Sequence, residues 1–192
     1  MTAFSIANHI SRFVDLEDQE LDALNAIVKT KNLKKRQFIV QPGFVCKHQS
    51  HVVKGALRVY FIAKDGTEHT TQFAIEDWWI SDFYSYVHQE PAKLFVEALE
   101  DSIIQQIAFE DTEKLCADFP KFERFFRLVA QKAFAYSQRR VLSNLEKTAE
   151  EKYLEFYEMY PSIVQRVPQY MLASYLGMTP EFLSKIRKKL SR

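Results

Sequence analysis

Residues 167–190 read VPQYMLASYLGMTPEFLSKIRKKL, and the organisation of this 192-residue sequence is read outward from them. Pro168 suits the first turn of a helix. Leu172, Ala173 and Leu176 then share one face, and Gly177 supplies a residue at ease in left-handed backbone. Thr179 can cap a second helix through its hydroxyl, with Pro180 at the tolerant first position. Leu183, Ile186 and Leu190 form the inner side of that helix, and Ala173 is small where the two helices must cross. The outer side carries Glu181, Ser184, Lys185 and Lys188 at spacing i, i+3, i+4, i+7. A second helix so exposed can lie in the major groove of duplex DNA with its N-terminal residues nearest the base edges.

Each outer residue has chemistry suited to that position. Lys185 can donate to guanine, Glu181 can accept from cytosine, and Ser184 can do either. Lys188 and Lys189 come a turn later, where phosphates are the expected targets. Net charge points the same way. The whole chain carries a formal +1, but residues 161–192 hold six Lys/Arg against Glu181 alone, whereas residues 1–160 hold 20 bases and 24 acids. A tail of +5 on a body of −4 is the asymmetry expected when only the tail meets a polyanion. A basic helix pair that docks on a protein partner is the competing reading. It predicts little dependence of DNA affinity on salt.

Upstream, residues 121–145 place Phe122, Phe126, Val129, Ala133 and Tyr136 on one stripe, with steps of 4, 3, 4 and 3. A helix of that length spans ~37 Å. The stripe is expected to be a dimer seam, with packing on the chain's own core as the alternative. Lys147 to Tyr160 reads as a further helix, ended before Pro161. The N-terminal half differs in texture. Helical spacing over residues 4–30, with Asp15 or Asp18 as a cap, gives way near Gln37 to short strands. These lie around Phe38 and Val40, Val52–Val53, Leu57–Phe61, Glu68–Ala74, Leu94–Ala98 and Ile103–Phe109. Asp65-Gly66 between two of them predicts a hairpin with a type I′ turn. Only four glycines occur, and Gly43, Gly55, Gly66 and Gly177 are the candidates for special backbone geometry.

Taken together, the order of parts resembles the Crp/Fnr family of regulators over nearly the whole chain. The resemblance rests on Gly43, on VVKGALRVYF with Gly55, on the Asp65-Gly66 hairpin, on FAIEDWWISDFYSYV and on RVPQYMLASYLGMTPEFLSKIRKKL. It implies an α+β fold: an antiparallel β-roll with flanking helices in residues 1–120, a dimerisation helix in 121–146, and a helix-turn-helix domain in 147–192. It further implies a homodimer that reads an inverted repeat and controls transcription through RNA polymerase. Two departures stand out. Cyclic-nucleotide-binding members carry Gly-Glu and, about ten residues later, Arg followed by Ser or Thr. Here Ser81 and Asp82, then Ala92 and Lys93, occupy those places. No arginine occurs between Arg58 and Arg124, and residues 76–101 carry seven acids against Lys93. Such a charge opposes a phosphate ligand, so cyclic AMP dependence is not expected. If an effector pocket exists, Ser81, Asp82, Ala92 and Lys93 are its candidates. Second, only Ser191 and Arg192 follow Leu190, which leaves no room for the β-hairpin wing many members carry there.

Other chemistries are set aside. Iron–sulfur sensing in this family needs four thiolates, and the two cysteines, Cys46 and Cys116, read as buried thiols without a cofactor. His48 and His51 point to opposite faces if they share a strand, so no metal is expected there. No nucleophile elbow, phosphate-binding loop or Cys/His dyad suggests an enzyme. The N-terminus lacks a signal-peptide apolar run, and no stretch is long enough to span a membrane, so the expected place is the cytoplasm.

Overall fold

A computed structural model describes residues 4–190. Ser191 and Arg192, on which the missing-wing reading falls, lie outside them. The fold is α+β. In chain order come α1 (Ile6–Ser11), α2 (Asp18–Ile27), β1 (Lys29–Leu33), β2 (Phe38–Val40), β3 (His48–Lys54), β4 (Leu57–Ile62), β5 (Glu68–Ala74), β6 (Trp79–Ile80), α3 (Phe83–His88), β7 (Phe95–Ala98), β8 (Ser102–Ala108), α4 (Phe109–Asp118) and α5 (Pro120–Glu146). Four helices follow: α6 (Ala149–Met159), α7 (Pro161–Arg166), α8 (Gln169–Leu176) and α9 (Pro180–Leu190).

The strands form two four-stranded sheets, ordered β1-β8-β3-β6 and β2-β7-β4-β5, which together make the β-roll. Between them lies a core that includes Val52, Leu57, Val59, Ala74, Val96, Ala98 and Ile104. A second cluster joins α1, α2, α4 and the start of α5 through Ile6, Ile10, Leu24, Leu115, Phe122 and Phe125. The chain divides into two compact units, Met1–Val59 with Phe73–Lys132, and Tyr60–Gln72 with Ala133–Arg192. The tip of the β4–β5 hairpin thus groups with the C-terminal helices, unlike the three-part division expected from sequence.

Local chemistry explains most boundaries. Thr148 caps α6 by accepting from Glu151 N–H, while the Glu151 carboxylate accepts from Thr148 N–H. At α2 the same reciprocal box is made by Glu17 and Glu20, so neither Asp15 nor Asp18 is the cap. β1, KTKNL, was not expected. Four of its five residues are exposed, and its pairing with β8 defines it as a strand where no apolar alternation does. The hairpin at Asp65-Gly66 forms, but with a different turn. Gly66 has φ of 84° while Asp65 is not left-handed, and Gly66 N–H donates to Ala63 O. This is a type I turn closed by a left-handed glycine, one residue longer than type I′.

The stripe along α5 is reassigned in part. Phe122 is fully buried in the cluster with Ile6 and Leu24, and Phe126 and Val129 pack against the same cluster. Phe122 has no surface left for a second copy, whereas Phe126 and Val129 are partly exposed. Of the remaining pair, Ala133 is exposed and the Tyr136 hydroxyl bonds that of Tyr175 at 3.0 Å. Tyr136 is exposed as well, and Phe134, Val141, Leu142 and Leu145 add further exposed apolar surface along α5. Cys46 is buried, as read, whereas Cys116 is only partly so.

Candidate nucleic-acid interface

α8 and α9 are joined by Gly177, which holds φ of 71° and lets Met178 N–H close back on Ala173 O. Thr179 Oγ1 accepts from Phe182 N–H at 3.2 Å and starts α9. Leu183 and Ile186 are buried against α8, whose Leu172 and Ala173 are also buried. Leu190 is an exception. It is exposed, because the inner side of α9 ends one turn earlier than its spacing predicts.

Of the residues assigned to DNA, Thr179, Glu181, Ser184, Lys185, Lys188 and Lys189 are all exposed, and Glu181, Ser184, Lys185 and Lys188 follow one face of α9. Thr179 spends its hydroxyl oxygen on the cap. The Glu181 carboxyl sits below its usual pKa, held there first by its own backbone N–H and then by a hydrogen bond from the Thr179 hydroxyl. Lys189 is turned away from any phosphate role in this conformation, since its ammonium bonds both Glu150 oxygens at 2.8 and 2.9 Å. Phe182 was missed. It is half exposed on the first turn of α9, beside Glu181, and an apolar ring there can meet a thymine methyl. An exposed aromatic within a polar stripe is the signal that would have found it.

The helix pair is tied to the rest of its unit by polar contacts. Ser174 Oγ donates to Glu68 O at 2.8 Å and accepts from Thr70 N–H at 2.9 Å. Arg140 of α5 donates to Thr71 O and Tyr175 O, with its guanidinium 4.1 Å from the Tyr175 ring centre. Hairpin tip, α5 and α8 therefore meet at one arginine.

Among the residues named for an effector pocket, Asp82 has a structural role. Asp82 is buried, and its carboxylate accepts from three backbone N–H groups, those of Ser85, Lys93 and Leu94. It brackets the loop between α3 and β7. Ala92 is buried and Lys93 exposed, while Ser81 is partly buried. None of the four lines the cavity of about 290 Å³ bounded by Phe38, Val40, Phe44, Cys46 and His48. Arg58 is buried in the sheet and donates to Glu97 through both Nε and Nη2, at 3.1 and 2.8 Å, which commits its charge internally. The cysteine thiols are pushed up by burial, Cys116 to about 11, so both stay protonated at neutral pH. Among the described residues, no helix is long and apolar enough to cross a membrane.

No protein-family model matches the chain. In sequence it is 25% identical over 183 residues to the fumarate and nitrate reduction regulatory protein of Vibrio cholerae, covering 89% of this chain and 72% of that one. It is 27% identical over 144 residues to the transcriptional activator Anr of Pseudomonas protegens, covering 74% of this chain and 58% of that one. In fold it matches a Crp/Fnr-family transcriptional regulator from Eubacterium rectale with a TM-score of 0.70 at 16% identity, over 92% of this chain and 84% of that one. Relatives in sequence and neighbours in fold converge on transcription regulators of the Crp/Fnr type, which this chain resembles along most of its length.

Proposed function

We propose that this chain is a transcription regulator of that type and binds duplex DNA as a homodimer, placing α9 of each copy in the major groove over one half of an inverted repeat, without cyclic AMP. The observation that carries the reading is the outer face of α9. Glu181, Phe182, Ser184 and Lys185 are exposed on its first turns above the Gly177 turn, with Lys188 following. Lys185, Glu181 and Ser184 read base edges, Phe182 meets a thymine methyl, and Lys188 neutralises phosphate. The exposed Phe134, Val141 and Leu145 of α5 supply the seam between copies, displaced from the stripe that spacing first suggests. Independence of cyclic AMP is supported by Asp82, whose carboxylate is consumed by backbone, and by Arg58, whose charge is consumed by Glu97. Work in the cytoplasm and contact with RNA polymerase belong to the same reading.

The test is selection of bound duplexes from a random DNA pool by the purified chain with no ligand added. Enrichment of an inverted repeat, with half-sites about one helical turn apart, is the expected outcome. Affinity for the selected duplex should fall linearly in log–log form with salt. Recovery of no motif, with affinity indifferent to salt, would favour a protein partner for the basic tail.

A further inference from the structure

His9 on α1, His51 on β3 and Asp77 in the turn before β6 come from three separate stretches of sequence and converge at one point. His9 Nδ1 lies 2.9 Å from Asp77 Oδ1, and His51 Nε2 lies 3.4 Å from the same oxygen. All three donor atoms fall within 4.8 Å of one another. His51 is fully buried, and its nearest polar neighbour is the Asp77 carboxylate at 3.4 Å, too loose a pairing to satisfy both ring nitrogens. A fully buried imidazole so weakly satisfied is costly in an ordinary core. Aromatic rings wall the point: Phe13, Trp79 and Phe125 contact His9, and Trp79 also contacts His51. Asp77 is held in left-handed backbone at φ 72°, with its N–H donating to Val52 O.

We propose that His9, His51 and Asp77 form a binding site for a divalent transition metal of the zinc, iron(II) or cobalt class. Two imidazoles and one carboxylate are the donor set those ions take, whereas magnesium and calcium require oxygen throughout. An ion about 2.0–2.1 Å from each ligand sets tetrahedral donor atoms about 3.3 Å apart, close to the spacings seen around Asp77 Oδ1. Three protein ligands leave a position for water. Burial keeps His51 neutral, its ligating form. Arg12, whose side chain is half exposed, now engages both Asp77 and His9, its Nη2 lying 2.5 and 2.6 Å from the two Asp77 oxygens and 2.8 Å from His9 Nδ1. Metal and guanidinium therefore compete for one carboxylate, and loading pins α1 to β3 through the ion.

The full chain, stripped with a chelator and dialysed, is titrated with zinc and with cobalt(II). One equivalent per chain is expected, with visible cobalt bands of tetrahedral intensity and a zinc-induced rise in Tm of about 5–10 °C at about 100-fold excess over Kd. His9→Ala and Asp77→Asn should abolish the rise, His48→Ala should keep it, and Arg12→Ala should tighten binding about tenfold by removing a neighbouring cation. X-ray absorption of the wild-type zinc form should show two imidazoles and no sulfur, a readout that does not depend on how any variant folds. No stoichiometric binding at about 100 μM metal would overturn the proposal. So would a site that survives both His9→Ala and Asp77→Asn, or a first shell without imidazole.

Discussion

Gly55 holds φ of 106°, and a Cβ placed there would lie 2.1 Å from Ser102 Oγ and 2.8 Å from Ser102 Cα. The second distance is to backbone, so no rotamer relieves it. Gly55→Ala is expected to cost about 3 kcal/mol from overpacking and positive φ together, measured by urea unfolding. On α9 the residues divide by what they touch. Lys185→Ala should flatten discrimination among half-site variants, and Phe182→Ala should erase a preference for thymine at one position. Lys188→Ala should instead weaken all sequences about equally and lower the salt slope by about one. Competitive binding to a panel of single-base operator variants separates these outcomes. Equal loss in Lys185→Ala and Lys188→Ala would sink the division of roles. Lys189→Ala should matter least, because its charge already belongs to Glu150.

At the scale of the element, α5 has apolar residues on more than one side, and two faces have different duties. Phe122 faces the core with Phe125, so Phe122→Ala should cost about 3–5 kcal/mol of folding stability. Phe134 and Leu145 face outward. Leu145→Glu and Phe134→Glu should leave the melting curve of the protomer nearly unchanged while light scattering reports monomers. Monomers from Phe122→Ala with no loss of stability would contradict this split. The spacing of 4, 3, 4 and 3 was legible, but it marks the inner side in the first turns of α5. A helix with several apolar faces offers periodicity no means of choosing which one meets solvent.

For the whole molecule, stability and acidity are linked through His51. Burial, and then the neighbouring His9, push its pKa down to about 4, against a pull upward from Asp77. Burial raises the Asp77 carboxyl, but hydrogen bonds from Arg12 and His9 outweigh it and hold the group below its usual value. An unfolded histidine titrates near 6.5. The unfolded chain therefore takes up the proton first, and the stability from a neutral buried His51 is complete above about pH 6.5. It is lost as pH falls toward about 4, at up to about 1.4 kcal/mol per pH unit. Urea unfolding of the metal-free chain at pH 7, 6 and 5 should show that decline, and His51→Gln should flatten it. An equally steep decline in His51→Gln would assign it elsewhere.

What the sequence determined by itself was whatever local chemistry decides. The α8–α9 pair is specified by Gly177, Thr179, Leu183 and Ile186 within about ten residues, so its turn, cap and buried side could be read from spacing. The Asp65-Gly66 hairpin was legible for the same reason, down to its turn class but not its type. Contacts between distant residues were settled only in the tertiary structure. KTKNL is a strand because β8 lies beside it. Asp82 is a bracket because three amides converge on it, so its carboxylate in the pocket position does not imply a ligand. His51 acquires its meaning from His9 and Asp77, 42 and 26 residues away in the chain. Side chains so far apart are brought together by packing of sheet and helix, and no period or spacing in the chain encodes that meeting.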